Sequence, residues 1–139
     1  MSRSNYSHEW TNEMYLYRGT VNRSIDGKRG QAFLKRMVAA LEAMPIKELH
    51  ADIFAKTDGV CCAMGAVALH EGHDIEKDYD PNVQDDSNYA YEKLNISRSM
   101  AAEIAFLNDD GNWFFQEEEK PSARWKRMYA WAKDRLKDE

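Results

Sequence analysis

The residues with the clearest capacity for chemistry are two histidines and two adjacent cysteines. His70 and His73 enclose a glutamate and a glycine, and Cys61 and Cys62 precede them by about two helical turns. Imidazole, thiolate and carboxylate groups can together hold a zinc ion. The spacing contains no Cys-x2-Cys pair, however, and the glycine inside the histidine pair weakens the pattern. The sequence therefore favours a polar helix end, where histidine interacts with the C-terminal dipole, and no metal site is assigned.

A cysteine nucleophile is the second kind of chemistry to consider. The cysteine pair follows an Asp-Gly turn signal close to a predicted helix start, where thiol pKa values fall. Its alanine, glycine and valine neighbours are instead typical of small buried side chains. We therefore assign no catalytic residue and no cofactor. The alternative that stays open is a small metal- or thiol-dependent enzyme using Cys61, Cys62, His70 and His73.

Charge is strongly segregated along the chain, whose net charge is −5. Residues 1–40 and 120–139 each hold seven basic and three acidic side chains, whereas residues 41–119 hold five basic and eighteen acidic ones. The terminal segments thus carry +4 each and the central segment −13. Either these segments neutralise each other within the fold, or the central segment forms an exposed acidic surface. Such a surface repels nucleic acid and attracts a basic partner.

Two parts of the central segment are the predicted contact sites. One is the acidic stretch that follows the histidines. The other places a Trp-Phe-Phe run before three glutamates, and an aromatic anchor beside an acidic rim is typical of a binding hot spot. If buried, the same aromatics would instead complete the core. The predicted partner-binding residues are Asp74, Glu76, Asp78, Asp80, Asp85, Asp86, Trp113, Phe114, Glu117, Glu118 and Glu119.

The basic terminal helices offer a further alternative, a nucleic-acid-binding accessory protein. Basic side chains near the N-terminal end could contact phosphates, and neighbouring tyrosines could stack on bases. The overall acidity argues against direct nucleic-acid binding. The residues concerned are Tyr15, Tyr17, Arg18, Arg23, Lys28, Arg29, Lys35 and Arg36.

Helical periodicity predicts the elements that position these groups. Residues 11–25 carry a helical stripe, which favours a helix, although the tyrosines at 15 and 17 would also suit a strand. Apolar side chains recur at helical spacing from residue 30 to residue 44. Pro45 ends the second helix, because the residue before a proline is pushed out of the helical region. Residues 60–70 are small and apolar almost throughout, which predicts a buried helix with close neighbours.

Two more helices are predicted in the second half of the chain. One covers residues 94–107, with Asn95 or Ser97 as its cap, and an Asn-Asp-Asp-Gly run ends it. The other begins at Pro121 or Ser122, since proline is well tolerated in the first turn of a helix.

These elements predict a mainly α fold for the single domain 1–139. We expect a helical bundle of about four to six helices around the small-residue helix at 60–70, with a short strand pair (α+β) as an open alternative. Residues 45–57 could be either extended or helical. Residues 71–92 are predicted to be an acidic loop, for which mobility is an open expectation. No apolar run approaches the roughly 20 residues needed to span a bilayer, and no signal peptide is evident. Adjacent cysteines disfavour an intrachain bridge, so a reduced cytoplasmic setting is expected.

Four blocks of the chain resemble a family of small uncharacterised bacteriophage and prophage proteins. They are RGQAFL at 29–34, AALEAMP at 39–45, GVCCAMGAV at 59–67 and EIAFLND at 103–109. The family similarly joins an RGQ-F-L helix to a C-A-L-G-A helix and an N-D turn before a tryptophan-containing terminal helix. The resemblance covers residues 18–132 and departs in the doubled cysteine and in the acidic insert after His70. It carries no established activity to transfer.

The resemblance implies a phage-associated setting in the host cytoplasm. Together with the charge pattern, it suggests a non-enzymatic protein–protein interaction protein of phage or prophage origin. An inhibitor of host defence or nucleic-acid machinery is the form this would take. The expected partner is a basic host protein or nucleoprotein complex, with no membrane involved.

Overall fold

The computed structural model describes residues 12–56, 58–80, 86–110 and 119–137 of the chain. Within these ranges the protein forms seven α-helices, so the mainly α prediction is confirmed, with one helix more than expected. The helices share one hydrophobic core, and none of those described is long and apolar enough to cross a bilayer. They are α1 (Asn12–Asp26), α2 (Lys28–Ala43), α3 (Ala63–His70), α4 (Ile75–Asp78), α5 (Asp86–Lys93), α6 (Arg98–Asp110) and α7 (Pro121–Arg135).

Helices α2 and α6 form the centre of the packing. α2 packs against α1, α3 and α7, and α6 packs against α1, α3, α5 and α7. The periodicity of α2 explains its position, because Phe33, Met37 and Leu41 are buried along one face. The helix ends at Ala43, and Pro45 follows the C-cap residue Met44, as the sequence predicts.

The small-residue helix is buried, as predicted. Residues 63–68 are all buried, and Gly65 allows α3 to approach the neighbouring backbone closely. A Cβ atom at Gly65 would lie 1.7 Å from the carbonyl oxygen of Phe54. The helix begins at Ala63, later than predicted, because the preceding Cys62 is extended and its N–H donates to the carbonyl of Phe54 at 3.0 Å.

The alternative of a short strand pair is not realised in the described ranges. Ala55 and Cys61 form only an isolated antiparallel bridge. Backbone groups that a strand would pair are used elsewhere: the N–H of Leu49 donates to the carbonyl of Pro121 at 3.0 Å, and the N–H of His50 to that of Cys61 at 2.9 Å. The segment after α2 is therefore a connection held by α7 and by the residues before α3.

The prediction of one acidic loop over residues 71–92 is wrong for its described parts, which contain α4 and α5. The many carboxylates conceal an apolar pattern, since Ile75 and Tyr89 are buried. The ring of Tyr89 contacts those of Phe54 and Tyr79, with centroids 5.1 and 5.4 Å apart. Burial of these rings holds the segment against the core.

The predicted helix over residues 94–107 is observed as α6, which begins later and ends later than predicted. Ser97 caps α6, because its hydroxyl accepts a hydrogen bond from the N–H of Met100 at 3.1 Å. The helix continues to Asp110, through most of the Asn-Asp-Asp-Gly run that was expected to end it. Tertiary contacts override the local turn preference of these residues.

Two arginines of α7 explain that extension. α7 begins at Pro121, as predicted. Arg124 Nε donates to the carbonyl of Asn108 at 2.8 Å, and Arg127 Nη1 donates to the carbonyl of Leu107 at 2.7 Å. These carbonyls belong to the last turns of α6, where cationic donors are most favourable. The arginines of α7 thus fasten the end of α6 to the bundle.

Candidate binding site

The described part of the acidic stretch is a solvent-facing segment around α4. The four carboxylate side chains Asp74, Glu76, Asp78 and Asp80 are all exposed. Asp74 caps α4, and its Oδ1 accepts a hydrogen bond from the N–H of Lys77 at 3.2 Å. We call residues 74–80 the acidic segment. The structure thus brings together four of the predicted partner-binding residues on one short element.

The negative charge of this segment acts on Tyr89, which forms an aromatic cluster with Phe54 and Tyr79. Burial, and after it the charges of Asp78 and Asp74, raises the pKa of the Tyr89 hydroxyl. The same hydroxyl lies 3.4 Å from Nδ1 of the half-buried His73. His73 is therefore engaged with the cluster beneath the acidic segment.

Several other predicted contact residues lie outside what the structure describes. Asp85, Trp113, Phe114, Glu117 and Glu118 are outside the described residues. For Asp86 the structure describes the backbone at the start of α5, and its side chain is likewise outside.

The prediction that Glu119 contacts a partner is contradicted by its surroundings. Its side chain is only 8% exposed and lies 2.8 Å from Arg127 Nη2 and 3.4 Å from Arg124 Nε. The hydrogen bond from Arg127, together with the charges of both arginines, lowers the pKa of the Glu119 carboxyl. Glu119 is part of an internal ion-pair network, because the arginines of α7 reach it across the start of their own helix.

Part of the remaining central charge is also paired with the N-terminal helices. Glu103 is fully buried and forms an ion pair with Arg18. Glu71 accepts a hydrogen bond from Arg36 Nε at 2.7 Å, and this bond lowers the pKa of the Glu71 carboxyl. Part of the central negative charge is therefore paired with arginines of the terminal segments, whereas the carboxylates of the acidic segment are exposed.

These pairs weaken the nucleic-acid alternative. Arg18 and Arg36, two of the basic residues proposed to contact phosphates, bind carboxylates of the chain itself. Apart from these two arginines, the proposed group still has exposed basic side chains near the α1–α2 junction, among them Arg23, Lys28 and Arg29. This group is smaller than the one that the sequence suggested.

The cysteines and histidines do not form the arrangement that the enzyme alternative requires. Cys61 and Cys62 are buried, and burial together with the neighbouring Cys62 raises the pKa of the Cys61 thiol to about 12. A thiol nucleophile needs the opposite shift. His70 is exposed at the end of α3. In the described ranges, no group of three or more His, Cys, Asp or Glu side chains is placed to share a metal ion.

A cavity that sequence reasoning missed opens between α2 and α3. It has a volume of about 350 Å³ and takes its walls from four parts of the chain. α2 contributes Ala40 and Ala43, the connection 44–50 and the turn 58–61 form two sides, and α3 contributes Ala66, Leu69 and His70. The size lies within the range of about 300–1,000 Å³ that is usual for ligand pockets.

The frame of the cavity is fixed by buried hydrogen bonds. The backbone of His50, which lines the cavity, donates to Cys61 and accepts a hydrogen bond from Asn108 Nδ2 at 3.0 Å. Asn108 is fully buried, and its Oδ1 accepts from the N–H of Ala63 at 3.1 Å. One side chain of α6 therefore joins the connection after α2 to the start of α3.

A tight turn forms the second side of the cavity. Asp58 Oδ1 accepts a hydrogen bond from the N–H of Val60 at 3.0 Å, and Gly59 has a φ of +94°, which glycine adopts without strain. The Asp-Gly signal in the sequence is the one local indication of this wall. No local signal gives the cavity itself, because its walls come together only in the folded chain.

The geometry defines a small helical bundle with an exposed acidic segment and a separate solvent-open cavity. Comparison with protein-family models, with curated proteins and with solved structures finds no match.

Proposed function

We propose that this chain is a non-enzymatic interaction protein of phage or prophage origin, which binds a basic host protein or nucleoprotein complex through its acidic segment. Acting in the host cytoplasm, it would inhibit defence or nucleic-acid machinery by covering a surface that normally holds nucleic acid. The observation that carries the proposal is the exposure of Asp74, Glu76, Asp78 and Asp80 on one short element.

The separation of paired and exposed carboxylates supports this proposal. Glu71, Glu103 and Glu119 engage arginines of the terminal segments, so their charge is largely paired within the chain. The acidic segment contains one basic residue, Lys77, and its residues Asp74, Glu76 and Asp78 are exposed. A single-sign surface of this kind accelerates association with an oppositely charged partner and disfavours nucleic acid.

The first test compares two charge reversals of the same chemistry. Asp78→Lys changes the last residue of α4, and Asp134→Lys changes an exposed position on α7. In quantitative capture from bacterial lysate, we expect Asp78→Lys to reduce recovery of a basic protein about fivefold or more at low salt. Asp134→Lys should leave recovery unchanged, because it lies outside the acidic segment.

Salt provides the second readout of the same experiment. As ionic strength rises, recovery by the unmodified protein should fall toward that of Asp78→Lys, since salt screens exposed charges. Equal recovery by all three proteins at low salt, or enrichment of only acidic partners, would contradict the proposal. Circular dichroism of each variant checks that the helical fold is retained.

A further inference from the structure

The cavity between α2 and α3 has an apolar interior. Ala40 and Ala66 are buried at its wall, and their short side chains leave the space between the helices open. Met44, Val60 and Leu69 supply the larger apolar surfaces. A ligand body without polar groups would therefore replace water there at little cost.

Two carboxylate side chains line the cavity. They belong to Glu48 and Asp58, which are both exposed, and the histidines His50 and His70 also line it. No lysine or arginine is among its lining residues.

The nearest basic residue in sequence is committed to another site. Lys47 lies between two lining residues, but its ammonium group donates to the carbonyl oxygens of Glu42 and Met44. It also lies 5.6 Å from the ring centroid of Trp125. Its ammonium group is thus held between the end of α2 and α7, whereas Glu48 and Asp58 are the acidic side chains of the lining.

We propose that this cavity binds a small organic amine, with a compact apolar body between α2 and α3 and its ammonium group facing Glu48 and Asp58. The apolar walls fit the body, and the carboxylates of Glu48 and Asp58 select the cation over a neutral or anionic molecule of the same shape. This site is separate from the acidic segment, so it goes beyond the proposed interaction with a basic protein.

Three ligands that share one ring and differ in charge test this selection. Phenethylamine, phenethyl alcohol and phenylacetate are titrated into the ¹⁵N-labelled full chain, and amide shifts are followed by NMR. We expect the amine to bind about tenfold more tightly than the alcohol, and the acid to bind most weakly. The shifts should centre on the residues of the cavity wall. Equal affinities for amine and alcohol, or shifts centred on α4, would overturn the proposal.

Two kinds of variant separate the contribution of the carboxylate charges to ligand binding from that of the cavity volume. Asp58→Asn keeps an oxygen that can accept from Val60, so the turn is retained while the charge is lost. Combined with Glu48→Gln, it should bring the affinity for the amine down to that for the alcohol. Ala43→Leu, at an exposed position on the wall, should fill the cavity and abolish binding of all three ligands. Unchanged affinity in either variant would overturn the assignment.

The matched control neutralises charge on the acidic segment. Glu76→Gln with Asp78→Asn removes the same two charges from exposed positions on α4. It should leave binding of the amine unchanged while it reduces capture of a basic protein. Loss of amine binding in this variant would show that long-range charge alone attracts the ligand, and would contradict a site in the cavity. Failure of one proposal therefore leaves the other measurable.

Discussion

Replacement of Gly65 by alanine should destabilise the protein by about 3 kcal/mol or more, at the upper end of the usual cost of overpacking. The added Cβ would lie 1.7 Å from the carbonyl oxygen of Phe54 and 2.7 Å from its carbonyl carbon. That backbone cannot retreat freely, because the same carbonyl accepts the N–H of Cys62. The clash exceeds the gain of about 1 kcal/mol that alanine brings within a helix. Chemical denaturation gives the free energy of unfolding.

Gly19→Ala is the matched control, since it is also a helical glycine. There the nearest atom to the added Cβ is Arg23 Nη1 at 3.3 Å, the flexible end of a side chain that can move aside. We expect this substitution to be neutral or slightly stabilising. If Gly65→Ala matched Gly19→Ala in stability, the close approach of α3 to the Phe54 backbone would be wrong.

Asn108→Ala should cost about 2–4 kcal/mol, because it leaves one buried and one partly buried backbone group without this partner. The Ala63 N–H loses its acceptor and the His50 carbonyl loses a donor. Since these two bonds hold walls of the cavity together, NMR shifts should spread from α3 to the connection after α2. The free energy of unfolding is again the measurement.

Two further substitutions sharpen that result. Asn108→Asp keeps an acceptor for Ala63 but replaces the donating amide with a carboxylate beside Asp109, so it should also destabilise. Asn22→Ala removes one contact of 3.4 Å with Arg135 from a half-buried side chain and should cost well below about 1 kcal/mol. A cost for Asn108→Ala as small as that for Asn22→Ala would contradict the role of Asn108 as the link between these segments.

The sequence predicts the elements of the fold well where the signal is periodic. The stripe of α2, the proline that begins α7 and the small residues of α3 each specify a helix through their own side chains. The prediction of a loop over residues 71–92 is wrong because it relied on the many acidic residues of this segment and overlooked its few apolar ones. Ile75 and Tyr89 are separated by carboxylates, yet burial of these two side chains holds the segment on the core.

The candidate site is harder to predict from the sequence, because its properties depend on contacts between residues that are far apart along the chain. In the sequence, Glu119 is the last of three consecutive glutamates, a pattern typical of an exposed segment. Its internal ion pairs with Arg124 and Arg127 become visible only in the structure. Asn108 reads as a helix stop, but its partners lie 45 and 58 residues away. The cavity likewise requires α2 and α3 to be adjacent. Exposure of the acidic segment, by contrast, was predictable from its charge density.

Rates of carbodiimide labelling of carboxylates in the native protein, read by mass spectrometry, test most directly whether the central negative charge is divided into an exposed and a paired set. Glu76 and Asp78 should be labelled at rates close to those of the unfolded chain, whereas the buried Glu103 and the arginine-bound Glu119 should be strongly protected. Protection of Glu76 and Asp78, or labelling of Glu119 as fast as theirs, would contradict the account.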